Sequence, residues 1–276
     1  MSIKLFVTDL DGTLLPTGTR VSEKNIRAVR DMVEAGVIFT LATGRMYRAA
    51  FAIAKSLRVD VPLITYNGAL IKSTSGEVIH EDCLPQDLIL ELIDFCRLNG
   101  WHVQTYDDDI LRFAELNRLA ESYMASVKVE GAAVGWDGLK KYSARSYKLL
   151  LVTDGDAASK DCIVELKKMF GDRIDAVQSN PQYVEITTKG VSKASALELM
   201  AARYGLTIEE TLAIGDSGND LPMLRAAGVS VAMGNASDEV KAACDHVTGL
   251  CVEDGFADAV YNFVLNQPSL LGKSTA

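Results

Sequence analysis

The sequence predicts an α/β fold: a doubly wound parallel sheet with an α+β segment inserted into it. Three observations carry this prediction. At both ends of the chain, short apolar runs alternate with helical patterns, the rhythm of parallel strands joined by crossover helices. The middle of the chain reads instead as paired strands and helices. The composition is that of a globular protein, with 276 residues, 48% hydrophobic and 24% charged. Such a chain buries a sizeable core without a metal or disulfide staple.

Residues 4–8 read as a buried strand. Residues 22–34 follow as a helix with Ile26, Val29 and Val33 on one face and Gly36 as its stop. Residues 37–41 form the next strand, residues 47–57 a helix and residues 61–65 a third strand. In the middle, residues 70–72 and 78–80 flank Ser73-Thr74-Ser75-Gly76, a hairpin signal. Residues 87–98 form a helix with Leu88, Leu92, Ile93 and Cys96 in register. Residues 103–106 and 110–113 flank the acidic turn Asp107-Asp108-Asp109. A strand over 147–153, a helix over 158–170 and a strand over 183–187 complete the α+β pattern. The opening rhythm then returns: helix 192–204, strand 211–214, helix 220–227, strand 229–232, helices near Glu239 and Ala257, and a loose tail after Gln267.

The formal net charge of −9 argues against nucleic acid or an anionic membrane as the main partner. An anionic substrate would then need local positive charge, from a metal ion or a placed Lys or Arg. Cys83, Cys96, Cys162, Cys244 and Cys251 are odd in number and scattered, and only His80, His102 and His246 could join them at zinc. They read as inert thiols in a reducing compartment. No apolar run approaches a signal peptide or a membrane span, so the cytoplasm is expected.

Asp9 and Asp11 stand directly after the first strand, at the edge where open α/β sheets bind ligands. Two carboxylates alternate in sequence repel unless a cation or proton intervenes. Magnesium suits the place, being a hard ion that takes a few carboxylate oxygens, several waters and substrate phosphate. Gly12 permits a sharp turn and Thr13 can donate locally. The plain alternative is an Asp-Gly turn with two solvated acids.

Thr43-Gly44-Arg45 follows the second strand and precedes a helix. Its hydroxyl and backbone N–H groups can cradle phosphate oxygens, or Thr43 can be an ordinary cap beside a solvated Arg45. Lys193 follows Ser192, the N-cap of a long helix, where a cation opposes the helix dipole. Its ammonium can neutralise a carboxylate and a phosphate oxygen together; the alternative is a solvated lysine. Gly215-Asp216-Ser217-Gly218-Asn219-Asp220 brings two acids, an amide and a turn to the same sheet edge. Asp216 can complete a magnesium shell, and Asp220 can orient a water or Lys193 from behind it. Asn219 can cap the next helix, reach substrate, or do both.

Asp9-Leu10-Asp11-Gly12-Thr13-Leu14, Thr43, Lys193 and Gly215-Asp216-Ser217-Gly218-Asn219-Asp220 resemble the four ordered motifs of the haloacid dehalogenase superfamily. The spacing between Thr43 and Lys193 is similar to that of the Cof-type subgroup, which carries a large α+β cap there. Tyr66-Asn67-Gly68-Ala69 and Lys189-Gly190-Val191-Ser192-Lys193 resemble that subgroup's flanking motifs. The resemblance implies a Rossmann-like core over residues 1–83 and 188–276, with a type IIB cap over residues 84–187.

It also implies a mechanism. Asp9 attacks phosphorus to form an aspartyl-phosphate. Asp11 protonates the leaving oxygen and then activates water. Mg2+ is held by Asp9, the Asp11 backbone carbonyl and Asp216. Thr43, with Gly44, and Lys193 hold the phosphoryl group, and Asn219 and Asn67 contact it or steady the loop. Dehalogenases of the superfamily lack an acid two places after the nucleophile, and ion-pumping relatives carry Thr there, so Asp11 favours turnover.

The implied substrate is a small phosphorylated metabolite, such as a sugar phosphate, selected by the cap. Of the cap's Trp101, Tyr106, Trp136, Tyr142, Tyr147 and Tyr183, some could stack on a ring while most read as core. A phosphomutase of the phosphomannomutase type is the nearest alternative. A non-catalytic regulator that binds magnesium and a phosphoryl group is a more distant one.

Overall fold

The computed structural model describes residues 2–16 and 20–265, and the expected loose tail after Gln267 lies outside them. In chain order the elements are β1 (Leu5–Thr8), α1 (Glu23–Glu34), β2 (Ile38–Ala42), α2 (Tyr47–Ala54), β3 (Pro62–Thr65), β4 (Leu70–Ser73) and β5 (Val78–Glu81). Then come α3 (Gln86–Leu98), β6 (His102–Asp107), β7 (Ile110–Phe113), α4 (Arg118–Val127), β8 (Gly131–Ala133), α5 (Gly135–Lys141), β9 (Ser146–Val152), α6 (Asp156–Phe170), β10 (Ile174–Asn180) and β11 (Tyr183–Thr188). The chain closes with α7 (Lys193–Arg203), β12 (Thr211–Gly215), α8 (Leu221–Ala226), β13 (Val229–Ala232), α9 (Asp238–Ala242), β14 (His246–Val247) and α10 (Gly255–Ala259).

Among the described residues these strands form two sheets. The first has eight strands in the order β14-β13-β12-β1-β2-β3-β4-β5, and the second has six in the order β10-β11-β9-β6-β7-β8. The first sheet is parallel from β14 to β3 and ends in the antiparallel β4 and β5. Alternate residues of β1 explain its two covered faces. Phe6 points to a cluster with Phe39, Met32 and Phe256, under α1 and α10. Leu5 and Val7 point to the opposite cluster, with Leu197, Met200 and Leu224 of α7 and α8. The fold is therefore the doubly wound, Rossmann-like core that the sequence predicts, with an inserted α+β cap.

Register places the site. Thr8 pairs with Ile214 on one side and Leu41 on the other. Asp9, Asp216 and Thr43 thus leave three neighbouring strands at one edge. The chain winds outward in one direction from β1 to β3 and in the other from β12 to β14. The switch point lies between β1 and β12, where open α/β sheets bind their ligands.

The second sheet is two-faced. Leu149, Leu151, Val184 and Ile186 face α3 and α6 in a cluster with Leu92 and Leu166. The alternate residues of the same strands face the core, and Tyr106, Leu150 and Val152 join Met46, Tyr66 and Leu70 in a shared buried layer. The structure adds β8, α4, α5, β10 and β14 to the elements read from sequence. It also shortens the second helix to Tyr47–Ala54, followed by a 3-10 turn at Lys55–Leu57. On α1 the buried face is Asn25, Ala28, Val29 and Met32, with Ile26 and Val33 packed at its margin. No helix of the described residues is long and apolar enough to cross a membrane, and all five cysteines are free.

Candidate active site

Lys193 lies between two carboxylates, donating to Asp9 Oδ1 at 2.5 Å and Asp220 Oδ1 at 2.6 Å. It is 1% exposed, and Asp9 and Asp220 are buried with it. Ser192 caps α7 in a reciprocal box with Ser195, so the helix is fixed at its start and Lys193 is delivered from its first turn. The cation that opposes the helix dipole is thus held by two anions, and the solvated alternative does not apply.

Asp220 braces the site. Its Oδ2 accepts from the backbone N–H groups of Asp216 and Ser217. With Lys193 on Oδ1, both of its oxygens are occupied. Asp9 Oδ2 takes no hydrogen bond among the described residues. Asp216 is oriented by the Thr13 hydroxyl, which donates to its Oδ1 at 2.9 Å. Gly12 has φ +83°, and a Cβ there would stand 2.4 Å from Asp216 Oδ2, so only glycine lets the two loops approach this closely.

The electrostatics are those of crowded acids. Burial, then Asp220, pushes the Asp9 carboxyl well above the usual range; Asp216 and Asp11 add to this and Lys193 opposes it. Burial and then Asp220 raise Asp216 to about 6. Burial works against the charge of Lys193, but Asp220 and Asp9 outweigh it and raise its pKa above the ordinary value. Oxygen ligands of Asp9, Asp216 and Asp220 lie within 4.8 Å of one another. A hard divalent cation fits this donor set and would relieve the crowding. Asp220 meets donors on both oxygens, whereas Asp9 and Asp216 each keep one oxygen without a donor among the described residues, so a cation would be held by those two side chains.

Asp11 stands apart from that cluster. Its carboxylate is half exposed and is forked by Arg45, with Nε to Oδ2 at 2.7 Å and Nη2 to Oδ1 at 2.6 Å. A place for Asp11 among metal ligands therefore rests on its backbone carbonyl. Thr43 is buried and its hydroxyl accepts the Arg45 N–H at 3.1 Å. It is no helix cap, because α2 starts at Tyr47 with Met46 as N-cap. Asn67 sits in the left-handed region at φ 57°, and its buried side-chain oxygen and nitrogen both lack a hydrogen-bond partner among the described residues. An unsatisfied buried amide of this kind is costly unless a ligand or water completes it. Asn219 accepts from the Ser217 hydroxyl at 2.6 Å and lines the cleft.

A cleft of about 430 Å³ opens above these residues. Its floor carries Asp9, Asp11, Thr43, Gly44, Arg45, Asp216 and Asn219. Its roof carries Tyr123 and Ser126 of α4, Lys148 of β9, Ser179 and Asn180 of β10, and Tyr183 and Glu185 of β11. Of the expected cap aromatics only Tyr183 reaches it. Trp101 and Trp136 pack on the cap core, Tyr106 is fully buried, Tyr147 packs on Tyr66, and Tyr142 lies under Arg112. Sequence reasoning misses Lys148 and Glu185. The signal for them is parity, since each alternates with apolar residues that face α3 and α6. It also misses Asn235, whose Nδ2 donates to the Gly12 carbonyl at 2.9 Å.

A buried acid at the end of the first parallel strand, an ammonium against it, further acids at the same edge and a cap over the cleft define a phosphoryl-transfer hydrolase. A profile of haloacid dehalogenase-like hydrolases matches residues 6–260. The chain belongs to the haloacid dehalogenase superfamily, in its Cof-type group with a type IIB cap, and is a phosphatase of that superfamily. It is similar to the 5-amino-6-(5-phospho-D-ribitylamino)uracil phosphatase YcsE of Bacillus subtilis (strain 168), at 31% identity over 96% of this chain and 97% of the relative. Its structure matches that of a haloacid dehalogenase-like hydrolase from Bacteroides thetaiotaomicron with a TM-score of 0.83 and 31% identity, covering 95% of this chain and 99% of the other. A haloacid dehalogenase subclass IIB sugar phosphatase, BT4131, matches with a TM-score of 0.81 and 26% identity, over 94% and 98% of the two chains.

Proposed function

We propose that this protein is a magnesium-dependent phosphatase of small phosphorylated metabolites, such as sugar phosphates, acting through an aspartyl-phosphate on Asp9. The observation that carries this reading is the Lys193 bridge. It fixes Asp9 Oδ1 through a buried ammonium and leaves Oδ2 without a partner at the floor of the cleft. In this reading Asp9 Oδ2 forms a bond to phosphorus as the bond to the leaving oxygen breaks. Asp11 gives that oxygen its proton, and to do so it exchanges Arg45 for the leaving group. Water then attacks phosphorus, loses its proton to Asp11, and the bond from phosphorus to Asp9 breaks.

Thr43, Gly44, Asn67, Lys193 and Asn219 hold the phosphoryl oxygens, and the unsatisfied amide of Asn67 supports its part in this. Asp9, Asp216 and the Asp11 carbonyl would hold Mg2+, which would supply charge neutralisation to the phosphoryl oxygens. Asp220 positions Lys193 and the Asp216 loop. Residues 1–83 and 188–276 act as the catalytic core and residues 84–187 as the selecting cap. The cleft's limited volume and its roof favour small molecules. The free cysteines suit the cytoplasm.

Phosphate release from a panel of phosphometabolites, with and without Mg2+, tests the reading. Magnesium-dependent release is expected. Isomerised sugar phosphate without release of phosphate would overturn it in favour of a mutase.

A further inference from the structure

The roof of the cleft is built around one buried ion pair. The side chains of Lys148 and Glu185 are 1% and 6% exposed. Lys148 Nζ donates to Glu185 Oε2 and, at 2.6 Å, to the carbonyl of Gly44 in the core. Glu185 Oε1 accepts from Ser179 Oγ at 2.9 Å. A Cβ at position 44 would stand 3.3 Å from Glu185 Oε1, so the glycine lets the pair press against the loop that follows β2. Taking both charges out of water is costly, and apolar residues of similar volume often serve stability as well as a buried ion pair does. Stability therefore does not account for the pair, whereas its place in the cleft wall does.

The surroundings indicate what it reads. Beside the pair the wall carries hydroxyl and amide groups, from Ser126, Ser179, Asn180 and Tyr183. Each lysine or arginine among the described lining residues already has a carboxylate, Arg45 with Asp11 and Lys148 with Glu185. In the resting cleft a second anionic group on the substrate would find no unpaired cation, because Arg45 leaves Asp11 only as Asp11 turns to the leaving group. Alcohol hydroxyls, which donate and accept at once, match a wall of adjacent donors and acceptors.

We propose that Lys148 and Glu185 are the specificity-determining pair of the cap, reading hydroxyl groups on the leaving-group side of a polyol monophosphate. This rests on the phosphatase reading above and narrows its substrate class. Glu185 accepts from a substrate hydroxyl and Lys148 donates to the same or a neighbouring one. The Lys148 bond to Gly44 ties this recognition to the loop that takes the phosphoryl group.

Steady-state kinetics of the full-length wild type, Glu185→Gln and Lys148→Met test it, on sorbitol 6-phosphate, ribitol 5-phosphate and phenyl phosphate. The wild type should prefer the polyol phosphates. Both variants should raise KM for them by about ten- to hundredfold, with the loss in KM rather than kcat, because a charge-assisted hydrogen bond is removed. For Glu185→Gln, which leaves Lys148 its bond to Gly44, the loss should be much smaller on phenyl phosphate, whose leaving group carries no further hydroxyl. Equal losses of Glu185→Gln on all substrates, a loss confined to kcat, or a wild type that prefers phenyl phosphate would overturn the proposal. If the charge variants do not fold, Ser179→Ala frees Glu185 Oε1 at a half-buried position. It should shift the same KM by about threefold, and an unchanged KM would equally overturn the pair's role. Absence of turnover on every phosphomonoester by the wild type would instead overturn the phosphatase reading itself.

Discussion

Asp109 of the cap serves as the helix cap of α2 in the core: its Oδ2 accepts the backbone N–H of Arg48 at 2.7 Å. Helix α2 has no side-chain acceptor of its own, because its N-cap residue is Met46. Tyr66 donates its hydroxyl to the other oxygen of the same carboxylate, and the Arg48 guanidinium donates to the Asp109 carbonyl at 2.7 Å. Both sides of the contact use left-handed backbone, with φ 53° and 57° at Asp108 and Asp109 and φ 53° and 57° at Tyr66 and Asn67. Tyr66 bears a cost of about 1–2 kcal/mol relative to the right-handed region, and the Asp and Asn residues, which visit it more readily, bear less. The joint therefore depends on its hydrogen bonds, and it acts on the helix that follows the Thr43–Arg45 loop.

Asp109→Ala should destabilise the protein by about 1–2 kcal/mol, the range for losing an N-cap. Asp109→Asn keeps an acceptor and should cost less. Tyr66→Phe removes the second donor, so the Asp109→Ala, Tyr66→Phe double variant should lose less than the sum of the singles. Thermal unfolding of the three variants measures this. Strict additivity would mean that Tyr66 and Asp109 act separately.

Asp9→Asn should abolish phosphate release, falling by about four orders of magnitude or more, since the nucleophile is removed. The melting temperature should stay level or rise. Burial and three neighbouring acids make the Asp9 carboxylate costly to keep charged, and an amide relieves that cost while remaining within reach of Lys193. By contrast, Lys193→Met leaves buried acids unpaired and should cost about 3–5 kcal/mol. Undiminished turnover by Asp9→Asn would sink the proposed chemistry.

Much of this site is legible because its residues follow strand ends. Asp9, Thr43 and Asp216 sit directly after apolar runs, and a parallel sheet brings such positions together whatever their separation in sequence. Lys193 is visible because it stands against a helix dipole. The roof is harder to read. Lys148 and Glu185 lie within strands, and their meeting depends on antiparallel register across a sheet whose β9 and β11 are separated in sequence by a helix and another strand. Their alternation with Leu149 and Ile186 assigns a face without naming a partner. Helix α4, which supplies Tyr123 and Ser126, carries a signal in Asn117 as N-cap and in Ala120, Tyr123, Met124 and Val127 at helical spacing. The Asp109 contact could not be foreseen, because a cap donated from another part of the chain leaves no mark near Met46.

Asp216 sets a pH dependence. Its folded pKa is raised from 3.8 to about 6, chiefly by burial. Between those values the folded protein binds more protons than the unfolded chain, so this group's contribution to stability is full below 3.8 and is lost as pH rises through 6. The metal-free protein should therefore lose stability at this group over that window. Mg2+ binds the carboxylate form, so the rise in melting temperature on adding it should grow over the same interval. Unfolding at a series of pH values with Mg2+ or with EDTA measures both. A magnesium increment independent of pH would contradict the assignment, and Asp216→Asn should flatten the profile.

Asn235 should control metal affinity without touching the ion. It ties two segments beneath the Asp11 turn. Its Nδ2 donates to the Gly12 carbonyl at 2.9 Å and its Oδ1 accepts the Cys251 N–H at 2.8 Å. The Cys251 thiol, which burial pushes up to about 12 and so keeps protonated, donates to the Thr13 carbonyl at 3.0 Å. Thr13 in turn orients Asp216. Removing the Gly12 tie loosens the turn whose Thr13 hydroxyl aims that carboxylate. Asn235→Ala should weaken Mg2+ binding by about tenfold, the lower end for residues that support metal ligands, and raising Mg2+ should recover most of the lost turnover. Asn235→Asp is the sharper variant, because it keeps the acceptor for Cys251 while setting a charged carboxylate oxygen against the Gly12 carbonyl in place of the donor. If that tie matters, calorimetric titration with Mg2+ should show the Asp variant weakened as much as the Ala variant. Wild-type affinity in Asn235→Asp would place the effect on the Cys251 side instead.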